Sequence, residues 1–301
     1  MRLRQLKDLP DVLGRYDYTA GLGRDRWAWE FCRRNPEFRE IAGFYSAGSD
    51  VSARPAPCPG VTLLKLRRPQ PDAEARGLCF FPNPEANALA ADVFWSNNLY
   101  PRDICVQVVE ADPGRADTYE ALALERCTIT HLTGYDGQEQ FILRGAGCAV
   151  QIRAGGLSLL SGVPHRMVLT IEGDECFETK MEVLKKAHRV FGDESPAGPA
   201  WPRPERELRD ALVCLDAKEA GLSYWEMAEI LHGRDHVDLI RARGSRALKD
   251  AVRRKLRRGE CLRDGGFREL LLPLTRRSGP AACPHSSSGP AHPAGGASVD
   301  A

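Results

Sequence analysis

Ser245-Arg-Ala-Leu-Lys-Asp-Ala-Val-Arg-Arg-Lys-Leu-Arg-Arg-Gly259 repeats its apolar residues with the period of an α-helix. On a helical wheel Leu248, Val252 and Leu256 share one arc, while Arg246, Lys249, Arg253, Arg254 and Arg257 spread over the opposite side. Ser245 stands where an N-cap is wanted. One face can pack on neighbouring helices and the other can meet a polyanion. From Arg241 to Arg258 nine Lys or Arg face a single acid, Asp250. The whole chain is nearly neutral, with 42 basic and 41 acidic residues and a net charge of +1. A basic helical face is ordinarily just solvated. So concentrated a charge in a neutral protein is nevertheless the footprint of phosphate contact, where each neutralised phosphate releases counterions.

The residues upstream supply a frame for that helix. Leu208, Ala211, Leu212 and Leu215 recur at the spacing of one helical face, and Gly221 offers the left-handed conformation that often ends a helix. Ser223 then stands three residues before Glu226, a capping box, and Met227, Ala228, Ile230 and Leu231 give the helix that follows an apolar stripe closed by His232-Gly233. Helix, glycine-containing turn and short helix form the first half of a helix-turn-helix. About a dozen residues separate the second helix from the basic one, which predicts a variant with a short helix near 235–240 between them.

At the other end, Trp27, Trp29 and Phe31 lie in a helical run that stops at Asn35-Pro36, because the residue before proline resists the helical region. Pro36 suits the first turn of a second helix carrying Phe38, Ile41 and Tyr45. The three aromatics are expected in the core. Residues 48–60, with Pro55, Pro57 and Pro59, read as a linker. From Val61 to about Gly173 the apolar period shortens to two: strands are expected at 61–66, 78–81, 104–109, 122–130, 140–143, 149–152 and 168–171, closed by a helix at about 178–191. Pro196, Pro199, Pro202 and Pro204 mark a semi-rigid spacer, and 278–301 has too few large apolar residues to fold.

Several chemistries find no support. Gly145-Ala-Gly147 lacks the third glycine of a dinucleotide turn and the lysine of a P-loop; Ser158 and Ser161 lack the elbow of a hydrolase nucleophile. Ten cysteines stand singly with no Cys-x-x-Cys pair, which reads as reduced thiols. His232 and His236 are four apart across Gly233, a poor metal pair. No enzyme, cofactor or metal site is expected. The N-terminus has no apolar leader core and the chain no apolar run of membrane length, so a cytoplasmic protein without membrane contact is expected.

Leu208-Arg-Asp-Ala-Leu, Leu215-Asp-Ala-Lys, Gly221-Leu-Ser-Tyr-Trp-Glu-Met-Ala-Glu-Ile-Leu, Val252-Arg-Arg and Gly265-Gly-Phe-Arg-Glu-Leu-Leu together resemble the RovC-like DNA-binding domain. Arg24-Asp-Arg-Trp-Ala-Trp-Glu-Phe-Cys-Arg-Arg-Asn-Pro-Glu-Phe-Arg is similar to the N-terminal domain that commonly precedes it. The resemblance implies a bacterial transcriptional regulator of a kind carried on proteobacterial plasmids and integrative elements.

The expectation is therefore an α+β protein. An N-terminal helical module spans 1–48, a linker 49–60, an antiparallel β-rich domain 61–191, a Pro-rich linker 192–205, an all-α helix-turn-helix-type DNA-binding domain 206–277 and a disordered tail 278–301. Arg246, Lys249, Arg253, Arg254, Arg257, Arg258, Ser223 and Tyr224 are the expected DNA contacts. The partners would be double-stranded DNA, further copies of the chain and RNA polymerase, with activation as the expected outcome. A different class of protein would hold another transcription factor away from DNA through the N-terminal aromatic helices.

Overall fold

The structure is a computed structural model that describes residues 12–46, 50–55, 59–96, 98–100, 104–115, 127–161, 163–170, 177–191, 201–244 and 246–272. The expected cap Ser245, most of the Pro-rich spacer and the tail 278–301 lie outside the described residues.

A 3₁₀ turn at Leu13–Thr19 leads into α1 (Arg24–Cys32) and α2 (Pro36–Ser46). Asn35 ends one helix and starts the next: its Oδ1 accepts the Phe38 N–H at 2.9 Å, and Pro36 follows where no amide hydrogen is needed. Trp27, Trp29 and Phe31 are buried, with Trp29 meeting Phe38 edge to face.

The middle of the chain forms one seven-stranded sheet in the order β1-β2-β4-β5-β6-β3-β7. Its strands are β1 (Val51–Arg54), β2 (Val61–Leu66), β3 (Ile104–Glu110), β4 (Thr128–Thr133), β5 (Glu139–Gly145), β6 (Cys148–Gly156) and β7 (His165–Thr170). The expected antiparallel sheet is corrected here, because β2 pairs with β4 and β3 with β6 in parallel. Each of these parallel neighbours is joined through intervening chain, whereas the hairpin neighbours β4, β5 and β6 run antiparallel. The strand expected at 78–81 is reduced to a single bridge, Leu78 to Trp95, and a strand not expected, β1, occupies the linker region.

Alternation along the strands produces two apolar faces. Ile129, Phe141, Leu143, Val150 and Ile152 lie in one cluster with Ala187 and Val190 of α4 (Phe177–Phe191), a helix that follows the short α3 (Pro71–Glu74). Leu132, Ile142 and Ala149 on the opposite face meet Phe80 and Phe94 from the irregular segment after β2.

The C-terminal helices are α5 (Arg203–Glu219), α6 (Tyr224–His232), α7 (Arg234–Ala242), α8 (Ala247–Cys261) and the short α9 (Arg268–Leu271). They do not stand apart from the N-terminal helices. Leu208, Ala211, Leu212 and Leu215 of α5, with Leu262, Phe267, Leu270 and Leu271, share one core with Trp27, Trp29 and Phe38. The C-terminal helices are therefore not positioned independently of the N-terminal ones.

A polar joint is built into that core. Arg34 grips Asp216 of α5 with two hydrogen bonds, 2.5 and 2.8 Å, and reaches back to Glu30 at 2.6 Å. The Tyr16 hydroxyl donates to Asp216 at 2.9 Å. Burial first, and then the Asp216 charge, push the Tyr16 phenol well up, so it stays a donor. Burial also opposes the charge on Glu30, but Arg34 and Arg33 outweigh it and hold the carboxyl below its usual value. These groups are nearly enclosed, with side-chain exposures of 10% for Arg34, 0% for Glu30 and 12% for Asp216.

Removing one partner of such a pair strands the other charge in a poor solvent, so Asp216→Ala should cost about 3–5 kcal/mol in urea unfolding. The depressed Glu30 gives the acid side a sign: its contribution is complete above its ordinary value of 4.5 and is lost as pH falls through the lower folded value. Unfolding free energy measured across that range should fall with acidification, and less steeply in Glu30→Gln.

Candidate nucleic-acid interface

The capping box expected from Ser223 and Glu226 is formed in both directions. The Ser223 hydroxyl accepts the Glu226 N–H at 3.3 Å, and the Glu226 carboxylate accepts the Ser223 N–H at 2.8 Å. Gly221 and Gly233 both sit at positive φ, where a side chain would be strained. Gly221 thus turns the chain out of α5, and Gly233 allows α7 to begin directly after α6.

Helix α7 occupies the interval in which a short helix was expected, and it alters the simple scheme. The basic helix α8 is reached only after a third helix rather than across one tight turn. Helix α7 and its C-cap expose Arg234, Arg241 and Arg243 but offset them with two exposed acids, Asp235 and Asp238, whereas α8 and its N-cap expose Arg246, Arg254, Arg257 and Arg258. The cationic surface therefore belongs chiefly to α8.

Helix α8 is held on its inner side by Val252 and Leu256, which join Met227, Ala228 and Val237 in a small core. Its close approach to α5 depends on Gly259: a Cβ there would lie 2.7 Å from the Ala211 carbonyl oxygen. Ion pairs flank this contact. Lys255 binds Asp210, which Arg209 also contacts at 2.9 Å, and Arg258 binds Glu207 at 2.8 Å. Arg209 in turn lies over the Trp201 ring, 4.6 Å from its centroid.

The outer side of α8 is arranged differently. Arg253 lies 5.4 Å and Lys249 5.9 Å from the centroid of the Tyr224 ring, so the ring at the start of α6 gathers two cations of α8. Arg253 also meets Asp250 at 3.3 Å. Among the described residues Arg246, Arg254 and Arg257 form no ion pair. Beside this group Arg241 of α7 lies 5.5 Å from the Trp225 centroid.

Of the eight expected contacts, Tyr224, Lys249 and Arg253 are thus drawn together, and Ser223 adjoins them through its cap. Arg246, Arg254 and Arg257 project from the same helix. Arg258 is directed to α5 and half engaged by Glu207, with 47% of its side chain exposed. The Trp225–Arg241 pair was not singled out from sequence; the adjacent Tyr224-Trp225 dipeptide was its only local signal. His232 and His236 have ring centroids 6.2 Å apart. Burial, followed by Lys255, lowers the His232 pKa, so that ring favours its neutral form. Among the described residues no helix is long and apolar enough to cross a membrane.

Two substitutions probe this geometry. Ser223→Ala should lower stability by about 1 kcal/mol through loss of the cap. Gly259→Ala should cost about 1–3 kcal/mol by forcing α8 away from α5. Thermal and urea unfolding of each variant against the parent chain measures both.

Residues 170–272 match the RovC DNA-binding family, described as a T6SS transcription factor DNA-binding domain. Residues 13–56 match a proteobacterial transcriptional regulator-like domain. The first match begins at the end of β7 and includes α4, so it takes in the helix that covers the sheet as well as α5 to α9. No curated protein matches the chain. Residues 170–272 are thus similar to the RovC DNA-binding domain family, and residues 13–56 to the proteobacterial transcriptional regulator-like domain family.

Proposed function

We propose that this chain is a bacterial transcriptional activator that grips double-stranded DNA through the outer face of α8. The observation that carries the reading is the row of arginines, Arg246, Arg254 and Arg257, exposed on a helix whose other basic residues are engaged by neighbours. Unpaired guanidinium groups side by side repel one another, and a polyanion removes that cost. Arg253 and Lys249, ordered on Tyr224, extend the row towards the start of α6. Arg258 takes a smaller part because Glu207 competes for it.

In this reading 206–277 is the DNA-contacting unit, the N-terminal module fixes its position, and the chain acts in the cytoplasm. One copy presents a short basic helix, and specific affinity at physiological salt ordinarily needs more than one such reader, so the active form is a homo-oligomer. Contact with RNA polymerase completes the activator.

Fluorescence anisotropy on the chain's own upstream DNA at several salt concentrations tests this. The parent chain should bind selectively and with a steep salt dependence. Arg253→Ala/Arg254→Ala should weaken binding at least ten-fold and reduce the log–log salt slope by roughly 2, about 0.9 for each phosphate no longer neutralised. Equal binding by parent and variant, both folded, would assign the basic face to another partner and favour a protein that restrains a second transcription factor. Light scattering on the DNA-bound protein reports the oligomer.

A further inference from the structure

The basic residues of α8 and its N-cap fall into groups by what holds them. Lys255 and Arg258 are engaged by acids of α5. Arg246, Arg254 and Arg257 are exposed and, among the described residues, form no ion pair. Lys249 and Arg253 belong to neither group: half-buried, they lie 5.9 and 5.4 Å from the centroid of one ring, that of Tyr224. They stand four residues apart on the same helical face, where like charges repel. The ring is what gathers them.

A ring and a carboxylate hold a cation with different consequences. A carboxylate takes up N–H donors, whereas an aromatic face attracts the charge and leaves the donors free. Among the described residues the Lys249 ammonium meets no acceptor. Arg253 gives one nitrogen of its fork, Nη1, to Asp250 at 3.3 Å, between side chains that are 42% and 49% exposed. Both cations are therefore ordered and still able to donate. That combination suits an oxygen anion with several acceptors, because the side-chain ordering that binding would otherwise require is already in place.

The next residue repeats the arrangement. Arg241 of α7 lies 5.5 Å from the Trp225 centroid, exposed and, among the described residues, without an ion pair. Both rings also pack against the small core that holds Met227, Val237 and Val252, which fixes where they stand. Cations from α7 and α8 thus converge on two consecutive aromatic residues of α6.

We propose that Tyr224 is a positioning residue that sets Lys249 and Arg253 as a clamp for one backbone phosphate of double-stranded DNA, and that Trp225 sets Arg241 for a second. This rests on the DNA-binding reading above and divides it, since a phosphate contact fixes the protein on the duplex without carrying sequence information. Tyr224 then acts through its two cations and not by touching a base itself.

Fluorescence anisotropy of the full chain tests the clamp, on its upstream DNA and on a scrambled duplex of equal length at several salt concentrations, with each fold checked by circular dichroism. Lys249→Ala/Arg253→Ala should reduce the log–log salt slope by roughly 2, about 0.9 for each charge removed, and equally on both duplexes. Tyr224→Leu, which keeps apolar bulk but no ring, should weaken both duplexes at least three-fold, and Tyr224→Phe should recover most of that loss. In the Lys249→Ala/Arg253→Ala background Tyr224→Leu should weaken binding no further. Trp225→Leu and Arg241→Ala should show the same dependence on each other. A further loss in that background, a loss confined to the upstream DNA, or a Tyr224→Phe variant as weak as Tyr224→Leu overturns the clamp. If Tyr224→Leu does not fold, the cation pair decides, and an unchanged slope overturns it. A parent chain that binds neither duplex overturns the DNA-binding reading and the clamp together, whereas parent binding matched by a folded Tyr224→Leu overturns the clamp alone.

Discussion

The Arg34 guanidinium, held between Glu30 and Asp216, is the constraint on which the rest of the molecule depends. It places a charged group of the N-terminal module against the helix that anchors the basic α8. Buried ion pairs contribute little to net stability compared with apolar packing, but they are strict about geometry, because a displaced partner leaves a charge unpaired. Here that strictness fixes the angle at which α5 meets α1 and α2. Asp216 binds the N-terminal module, while Glu207 and Asp210 on the same helix bind Arg258 and Lys255. One helix thus registers the regulator-like module on one side and the basic helix on the other.

The sheet contributes a second kind of order. Its two faces are covered by different material, α4 on one and the irregular stretch around Phe80 and Phe94 on the other. That stretch carries Trp95, which touches the sheet through Gln151, α1 through Asp25 and the C-terminal end through Phe267. The sheet is therefore joined to the helical body by a residue with polar and aromatic contacts in three directions.

Much of this was legible in the sequence where signals are local. Ser223 with Glu226, Gly221, Gly233 and the Asn35-Pro36 junction each specify a helix end within four residues, and the structure puts helix ends there. Alternation located most strands, but it says nothing about the direction of a neighbour, so the mixed character of the sheet was not readable. β1 was missed because a four-residue strand flanked by a proline-rich stretch has the composition of a linker. The pairing of Arg34 with Asp216 joins residues 182 positions apart, and no local pattern announces it. Among the expected DNA contacts, the periodicity separated inner from outer residues of α8 but not the edge facing α5, where Arg258 lies.

The core shared by α1, α2 and α5 has a consequence for how the molecule comes into being. During synthesis Trp27, Trp29 and Phe31 leave the ribosome well over a hundred residues before the leucines of α5 that cover them. Contacts so distant along the chain close slowly, and apolar surface awaiting its cover invites association with other chains. The newborn N-terminal module is therefore most open to association until the last third of the chain arrives to cover it.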